Sequence, residues 1–294
     1  MSVLSRRDFL EKSAVAVGAL AVGSAAAPAA DTRKLKSLTD QVTLGPTKIK
    51  TSVLGIGTGS NGVGHSSNQV RLGNEKFVKL VRYAYDKGIT YFDTADQYGS
   101  HIYLRDALKG LPREKLFIQT KTRATTAEMA RADIERFRQE LGTDYVDTCL
   151  MHCMQKGSWP TDFRAVMDML SEAKTKGWVR AVGVSCHGME PLRAATRCDW
   201  IDVDLARINP VGVEARMDGT PDQVVPCLRA IHKNGKGIIG MKILGEGQFK
   251  TAEKQMESLR FVLGLGCVDC FVIGFESTKQ IDEILQRGEA VLRG

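Results

Sequence analysis

Along residues 52–286, eight short apolar runs alternate with stretches of helical spacing. The runs are Ser52–Thr58, Ile89–Asp93, Leu116–Lys121, Tyr145–His152, Val179–Ser185, Ile201–Ile208, Gly237–Lys242 and Asp269–Gly274. Between and after them lie Glu75–Lys87, His101–Lys109, Thr126–Leu141, Thr161–Lys176, Pro191–Thr196, Asp222–Lys233, Ala252–Leu263 and Thr278–Gln286. In the first of these stretches Phe77, Leu80, Val81, Ala84 and Tyr85 keep i, i+3/i+4 spacing, and Gly88 stops it. Strand–helix alternation implies parallel strands joined by right-handed crossovers. Eight such units in about 250 residues predict one closed (β/α)8 barrel domain rather than two smaller domains. The competing fold is a doubly wound sheet. Gly55-Ile56-Gly57-Thr58-Gly59 speaks against it: the G-x-G-x-x-G spacing is missing, and a long loop from Gly59 to Asn68 follows instead of a helix.

The first thirty residues are of another kind. Arg6-Arg7 precedes a weakly apolar stretch from Ser13 to Ala27, and Ala25-Ala26-Ala27 and Ala27-Pro28-Ala29 offer small-residue cleavage patterns. This order resembles a twin-arginine (Tat) export signal peptide, with Arg6 and Arg7 read by the Tat translocase. It implies export to the periplasm or another extracytoplasmic space. The competing reading is an amphipathic helix that contains Arg-Arg. Residues 1–30 are therefore set apart as signal, 31–50 as a linker with a small hairpin over Val42–Thr51 around Leu44-Gly45-Pro46, and 51–294 as the barrel.

The net charge of +7 raises the question of nucleic acid, but Lys and Arg are scattered without a dense run, which reads as a solvated surface. Seven cysteines cannot all pair within one chain. Cys149, Cys153 and Cys186 lie in or beside apolar runs and read as small core residues. Cys267-x-x-Cys270 precedes an apolar run, not a helix start, which argues against a redox motif.

Ionisable side chains fall at the ends of three runs: Asp93, Lys121 and His152, with Tyr98 just beyond Asp93. Singly each has a bland reading: a helix cap, a solvated edge, a satisfied core histidine. Together, at the carboxyl ends of consecutive parallel strands, they form a constellation where barrels place their chemistry.

With these residues in hand the chain resembles the aldo-keto reductase superfamily, a TIM-barrel family. The matching residues are Asp93-Thr94-Ala95-Asp96-Gln97-Tyr98-Gly99, strand-end Lys121, Leu150-Met151-His152 and Gly183-Val184-Ser185, and the resemblance covers roughly Thr51 to Leu285. It implies reduction of small-molecule aldehydes or ketones to alcohols. The implied catalytic set is Asp93, Tyr98, Lys121 and His152. Tyr98 would be the proton donor and Lys121 would lower its pKa from about 10. Asp93 would hold Lys121, and His152 would orient the carbonyl. NADPH, and less often NADH, would be the hydride donor.

The implied cofactor residues are Gly57 and Thr58, Ser185, Met241, Lys242, Leu244 and Gly247, and Gly274, Ser277, Thr278 and Gln280 before and in the last helix, whose N-terminus suits an anion. Departures from the family are Cys186 where an Asn follows the Ser, Leu205 in place of a Gln, and Met241 in place of the aromatic platform. Two other readings stay open. One is a non-catalytic dinucleotide-binding or partner-binding barrel. The other is a metal-dependent barrel enzyme using His152-Cys153 and Cys186-His187.

Overall fold

The computed structural model describes residues 35–294; the expected signal with Arg6 and Arg7 lies outside them. A hairpin comes first: β1 (Gln41–Thr43) pairs antiparallel with β2 (Lys50–Ser52). Leu44 and Ile49, between the strands, are buried with the apolar residues that fill the barrel. The Gly45 N–H donates to Asp269 Oδ2 at 3.2 Å, just before the last barrel strand begins. The hairpin thereby closes the amino-terminal end of the barrel.

The chain then runs β3 (Leu54–Gly57), α1 (Asn68–Arg71), α2 (Asn74–Asp86), β4 (Tyr91–Asp93), α3 (His101–Leu108), β5 (Phe117–Thr122), α4 (Ala127–Leu141) and β6 (Val146–Met154). It continues with α5 (Trp159–Asp162), α6 (Arg164–Thr175), β7 (Val179–Cys186), α7 (Met189–Ala195), β8 (Val203–Arg207), α8 (Pro221–Lys233), β9 (Gly237–Met241), α9 (Ala252–Gly264), β10 (Cys270–Gly274) and α10 (Thr278–Arg293). Strands β3 to β10 pair in chain order, all parallel, and β10 returns to β3. The eightfold alternation thus produces the expected (β/α)8 barrel.

Three elements differ from expectation. The stretch expected as one helix over Thr161–Lys176 is two, because Pro160 starts α5 early, buried Trp159 anchors it, and Phe163 breaks the helical path at φ −111°, ψ 25°. The last helix runs past Gln286 to Arg293, since its buried stripe of Ile281, Ile284, Gly288 and Val291 continues at helical spacing. A short helix, α1, forms in the loop after β3, capped by the Ser67 hydroxyl accepting from the Val70 N–H at 3.1 Å.

Side chains alternate along each strand, and this parity decides what faces the barrel interior. Tyr91, Phe117, Leu150, Val203, Leu205 and Ile239 form one buried cluster inside the barrel. Stepping two residues toward the carboxyl end from Tyr91, Phe117 and Leu150 reaches Asp93, Gln119 and His152, and one more step on β5 reaches Lys121. The opposite parity packs against the helices: Phe92, Ile118, Met151, Val182 and Val184 belong to the outer apolar layer. The ionisable residues thus crown an apolar stack at one end of the barrel.

Candidate active site

Lys121 is 1% exposed, and its ammonium donates to Asp93 Oδ1 at 2.6 Å and to the Thr94 carbonyl at 2.9 Å. Gln119 supports the same carboxylate: its Nε2 donates to Asp93 Oδ1 at 2.7 Å and to the Tyr91 hydroxyl at 2.9 Å. The Gln119 Oε1 in turn accepts from the Thr148 hydroxyl at 3.0 Å. A buried ion pair stands only when its remaining donors and acceptors are satisfied, and Gln119 supplies part of that here. The sequence reading missed Gln119, although parity between Phe117 and Lys121 points it inward.

Tyr98 lies in a 3-10 turn, Asp96–Tyr98, between β4 and α3. Arg136 on α4 braces that turn through Asp96 at 2.7 Å. The phenol ring packs on backbone that must be glycine: a Cβ at Gly59 would come within 2.2 Å of the ring, and one at Gly62 within 2.4 Å. Lys121 Nζ lies 4.9 Å from the ring centroid. The Tyr98 hydroxyl is 3.5 Å from His152 Nε2, and the two rings meet edge on with centroids 5.6 Å apart. His152 is 7% exposed, and its Nδ1 has no hydrogen-bond partner among the described residues. All four expected catalytic side chains therefore meet at one place.

Their protonation differs from expectation in one respect. Burial pushes the Tyr98 phenol well above its ordinary value, with Asp93 adding to it, so Lys121 does not dominate as expected from the sequence. Burial also draws Lys121 below the usual lysine value, while Asp93 opposes the change. His152 is held well below the usual histidine range by burial and by Lys121 and His187. At neutral pH the site accordingly offers a protonated phenol and a neutral imidazole.

A cavity of about 490 Å³ opens from this centre. Asp93, Tyr98 and Lys121 line it together with Leu205, Met241 and Val272. It extends along the loop after β9 to Lys250, Gln255, Glu276, Gln280 and Arg287. Of the residues expected at a cofactor, Gly57, Met241, Lys242, Leu244, Gly247, Gly274 and Gln280 line the cavity. Thr58, Ser185, Ser277 and Thr278 do not. Thr58 is buried, and its hydroxyl donates to the Asp93 carbonyl at 2.8 Å. The Ser185 Oγ is buried and accepts from the Cys153 N–H at 3.3 Å. Ser277 caps α10, its Oγ accepting from the Gln280 N–H at 3.4 Å, and Thr278 is the first residue of that helix. Arg287 was missed. It lies deeper in α10, bonded to Gln255 Oε1 at 2.6 Å and to Glu283 Oε2 at 3.3 Å, and only the helix fold brings it to the cavity.

The full metal-ligand set is not brought together: Cys153 Sγ meets His187 Nδ1 at 3.0 Å, but among the described residues no three His, Cys, Asp or Glu side chains converge as a site. Parity explains it, because Cys186 packs into the outer apolar layer on the side of Asp204. Cys153 also departs from expectation. It is half-exposed at the barrel mouth instead of in the core, for a reason given below.

A family sequence model described as "Aldo/keto reductase family" matches residues 53–262. The NADH-specific methylglyoxal reductase of Escherichia coli (strain K12) is 26% identical over 190 residues, which are 57% of this chain and 58% of that protein. The NADPH-dependent codeinone reductase 1-3 of Papaver somniferum is 28% identical over 194 residues, 58% of this chain and 57% of that protein. The matches thus span somewhat over half the length of these curated relatives. A solved structure of a putative aldo-keto reductase from Pseudomonas aeruginosa superposes with TM-score 0.72 at 22% identity, over 89% of this chain and 99% of that one. That likeness bears on the fold.

Proposed function

The chain belongs to the aldo/keto reductase family, and from that premise we propose that it is an enzyme reducing aldehydes or ketones to alcohols with a nicotinamide dinucleotide. The observation that carries the reading is the meeting of Asp93, Tyr98 and Lys121 in the lining of one cavity, with His152 beside the Tyr98 hydroxyl. Tyr98 gives its proton to the carbonyl oxygen. Its neutral phenol suits a donor, and the Lys121 ammonium beside the ring stabilises the phenolate that remains. Neutral His152 orients the oxygen from the other side. Asp93 holds Lys121, while Gln119 and Thr58 hold Asp93 and its backbone.

The cavity's residues fit a dinucleotide. Leu205, Met241 and Val272 offer apolar surface beside Tyr98, while Lys250, Gln280 and Arg287 offer cations and donors at the far wall. When bound, such a cofactor supplies the hydride. The cations favour NADPH, although the names of the two relatives point one each way. Titrating the full chain with NADPH and NADH by fluorescence, then assaying small carbonyls, tests the proposal. We expect binding of at least one dinucleotide, tighter for NADPH, together with turnover. Binding without turnover would favour a non-catalytic barrel, and no binding of either would reject the reading.

We further infer export through the Tat translocase to the periplasm or another extracytoplasmic space. The support is Arg6-Arg7 before the apolar stretch and its small-residue cleavage patterns. Replacing both arginines with lysine is expected to leave the protein in the cytoplasmic fraction. An unchanged distribution between fractions would reject the inference.

A further inference from the structure

The segment from Asp96 to His101 carries Tyr98 between two anchors. At one end Asp96 Oδ1 accepts from Arg136 Nη1 at 2.7 Å. At the other end stands His101, the first residue of α3 and almost fully buried, whose Nδ1 donates to Glu140 Oε2 at 2.7 Å. Arg136 and Glu140 lie one turn apart on α4 and bond each other at 3.1 Å. Both ends of the segment are therefore fixed to one helix, and the Arg136 guanidinium closes the ring of bonds.

The same guanidinium reaches the strand that carries Lys121. Its Nη2 donates to Asp133 Oδ1 at 2.8 Å, and Asp133 Oδ2 accepts from the Thr122 hydroxyl at 2.5 Å. On the other side of Lys121, the Thr120 hydroxyl lies 2.9 Å from His101 Nε2. Strand parity explains the pairing: Lys121 points into the barrel, so its two neighbours meet the helix layer. Arg136 thus sits among three carboxylates, those of Asp96, Asp133 and Glu140, all partly buried. Without its charge the three would repel one another. Asp133 and Glu140 are fixed within α4, whereas Asp96 belongs to a single 3-10 turn, so the turn carrying Tyr98 would be the part to move. Arg136 is absent from the cavity lining, so any effect on the chemistry passes through these partners.

We propose that Arg136 is a positioning residue for the reduction: one guanidinium on the outer side of the barrel wall sets the Tyr98 phenol against the Lys121 ammonium. The inference rests on the reductase reading. What Arg136 sets is the 4.9 Å from Lys121 Nζ to the Tyr98 ring centroid and the 3.5 Å from the Tyr98 hydroxyl to His152 Nε2. A proton donor acts only within hydrogen-bonding reach, so a small displacement of the turn costs rate. The dinucleotide touches neither Arg136 nor its three carboxylates if it fills the cavity, since none of the four lines it. The loss therefore falls on kcat. Ion pairs as exposed as these contribute little to stability by themselves.

The test uses the full chain and compares two arginines of one helix. Arg136→Met removes the charge and keeps a long, helix-favouring side chain. Arg131→Met is the control: Arg131 also lies on α4, and its guanidinium donates to both oxygens of Glu172 on α6, at 3.1 and 2.7 Å, away from the Tyr98 turn. Arg136→Met is expected to lower kcat about tenfold and to leave KM within about twofold. Arg131→Met should leave both unchanged, and Arg136→Lys, which keeps the charge, should regain most of the lost kcat. A second readout needs no turnover. Tyrosine labelled at Cζ gives six carbon NMR resonances, of which the Tyr98 line is the one missing from Tyr98→Phe. That line should move in Arg136→Met and stay in place in Arg131→Met. If the unaltered chain reduces no carbonyl, the reductase reading fails, while the spectrum still decides whether Arg136 holds Tyr98. An unmoved Tyr98 line in Arg136→Met, a kcat there like that of the unaltered protein, or an equal loss in Arg131→Met would each overturn the proposal.

Discussion

Tyr98→Phe is expected to lower turnover of a good aldehyde substrate by about 10²–10⁴-fold, the range of a positioned general acid. The change removes one oxygen. The ring would keep its place against Gly59 and Gly62, since nothing in that contact involves the hydroxyl. Lys121 and Asp93 would keep their bonds to each other and to Thr94 and Gln119, because none of those bonds passes through the phenol. Dinucleotide affinity should therefore stay within about twofold, so that the loss appears in kcat and not in binding. Burial supplies the reason for a large effect. The phenol is held protonated well above its ordinary range, so at neutral pH the donor is fully loaded and nothing nearby replaces it. His152, 3.5 Å away, is neutral and too weak a base in this pocket to carry a spare proton. Turnover like that of the unaltered protein would remove Tyr98 from the mechanism and point to a solvent-derived proton.

The fold was legible because alternation is a local signal repeated eight times. Each run from Leu54 to Gly274 carries its own apolar residues and its own stop, and closure follows from their number. The central side chains were legible for a related reason: Asp93, Lys121 and His152 lie at or near strand ends, where parity sends them inward, and Tyr98 follows Asp93 within one short turn. What escaped depends on geometry between segments. Arg287 reaches the cavity only because α10 continues past Gln286, and a count of residues from the strand end does not show that. Cys153 was misread as core because one inserted residue in β6 inverts its parity, and a bulge leaves no mark in composition. Ser185 was placed at the cofactor by its position in a motif, yet its hydroxyl is used to hold the backbone of that same bulge. Gln119 was passed over as one polar residue in an apolar run, although it ties Tyr91, Asp93 and Thr148 together.

Lys121→Met is expected to cost both stability and turnover, and the two losses can be separated. The methionine fills nearly the space of the lysine stem, so the principal loss is charge. Asp93 is 5% exposed and would be left with Gln119 as its remaining side-chain donor. Removing one partner of a buried pair costs about 3–5 kcal/mol, which at this chain length lowers Tm by roughly 6–20 °C. The Gln119 bond argues for the lower part of that range. Adding Asp93→Asn neutralises the stranded carboxylate while its oxygen still accepts from Gln119. The double variant should therefore recover roughly half or more of the lost Tm, an interaction that double-mutant comparison reads directly. Turnover should not recover, because neither neutral residue can stabilise the phenolate left when Tyr98 gives up its proton. If the single variant melts with the unaltered protein, the pair does not bear on stability as described. If the double variant turns over substrate normally, the ammonium beside the Tyr98 ring is not part of the chemistry. The combination expected here, stability regained without activity, would mean that the buried charge is kept for the reaction and not for the fold.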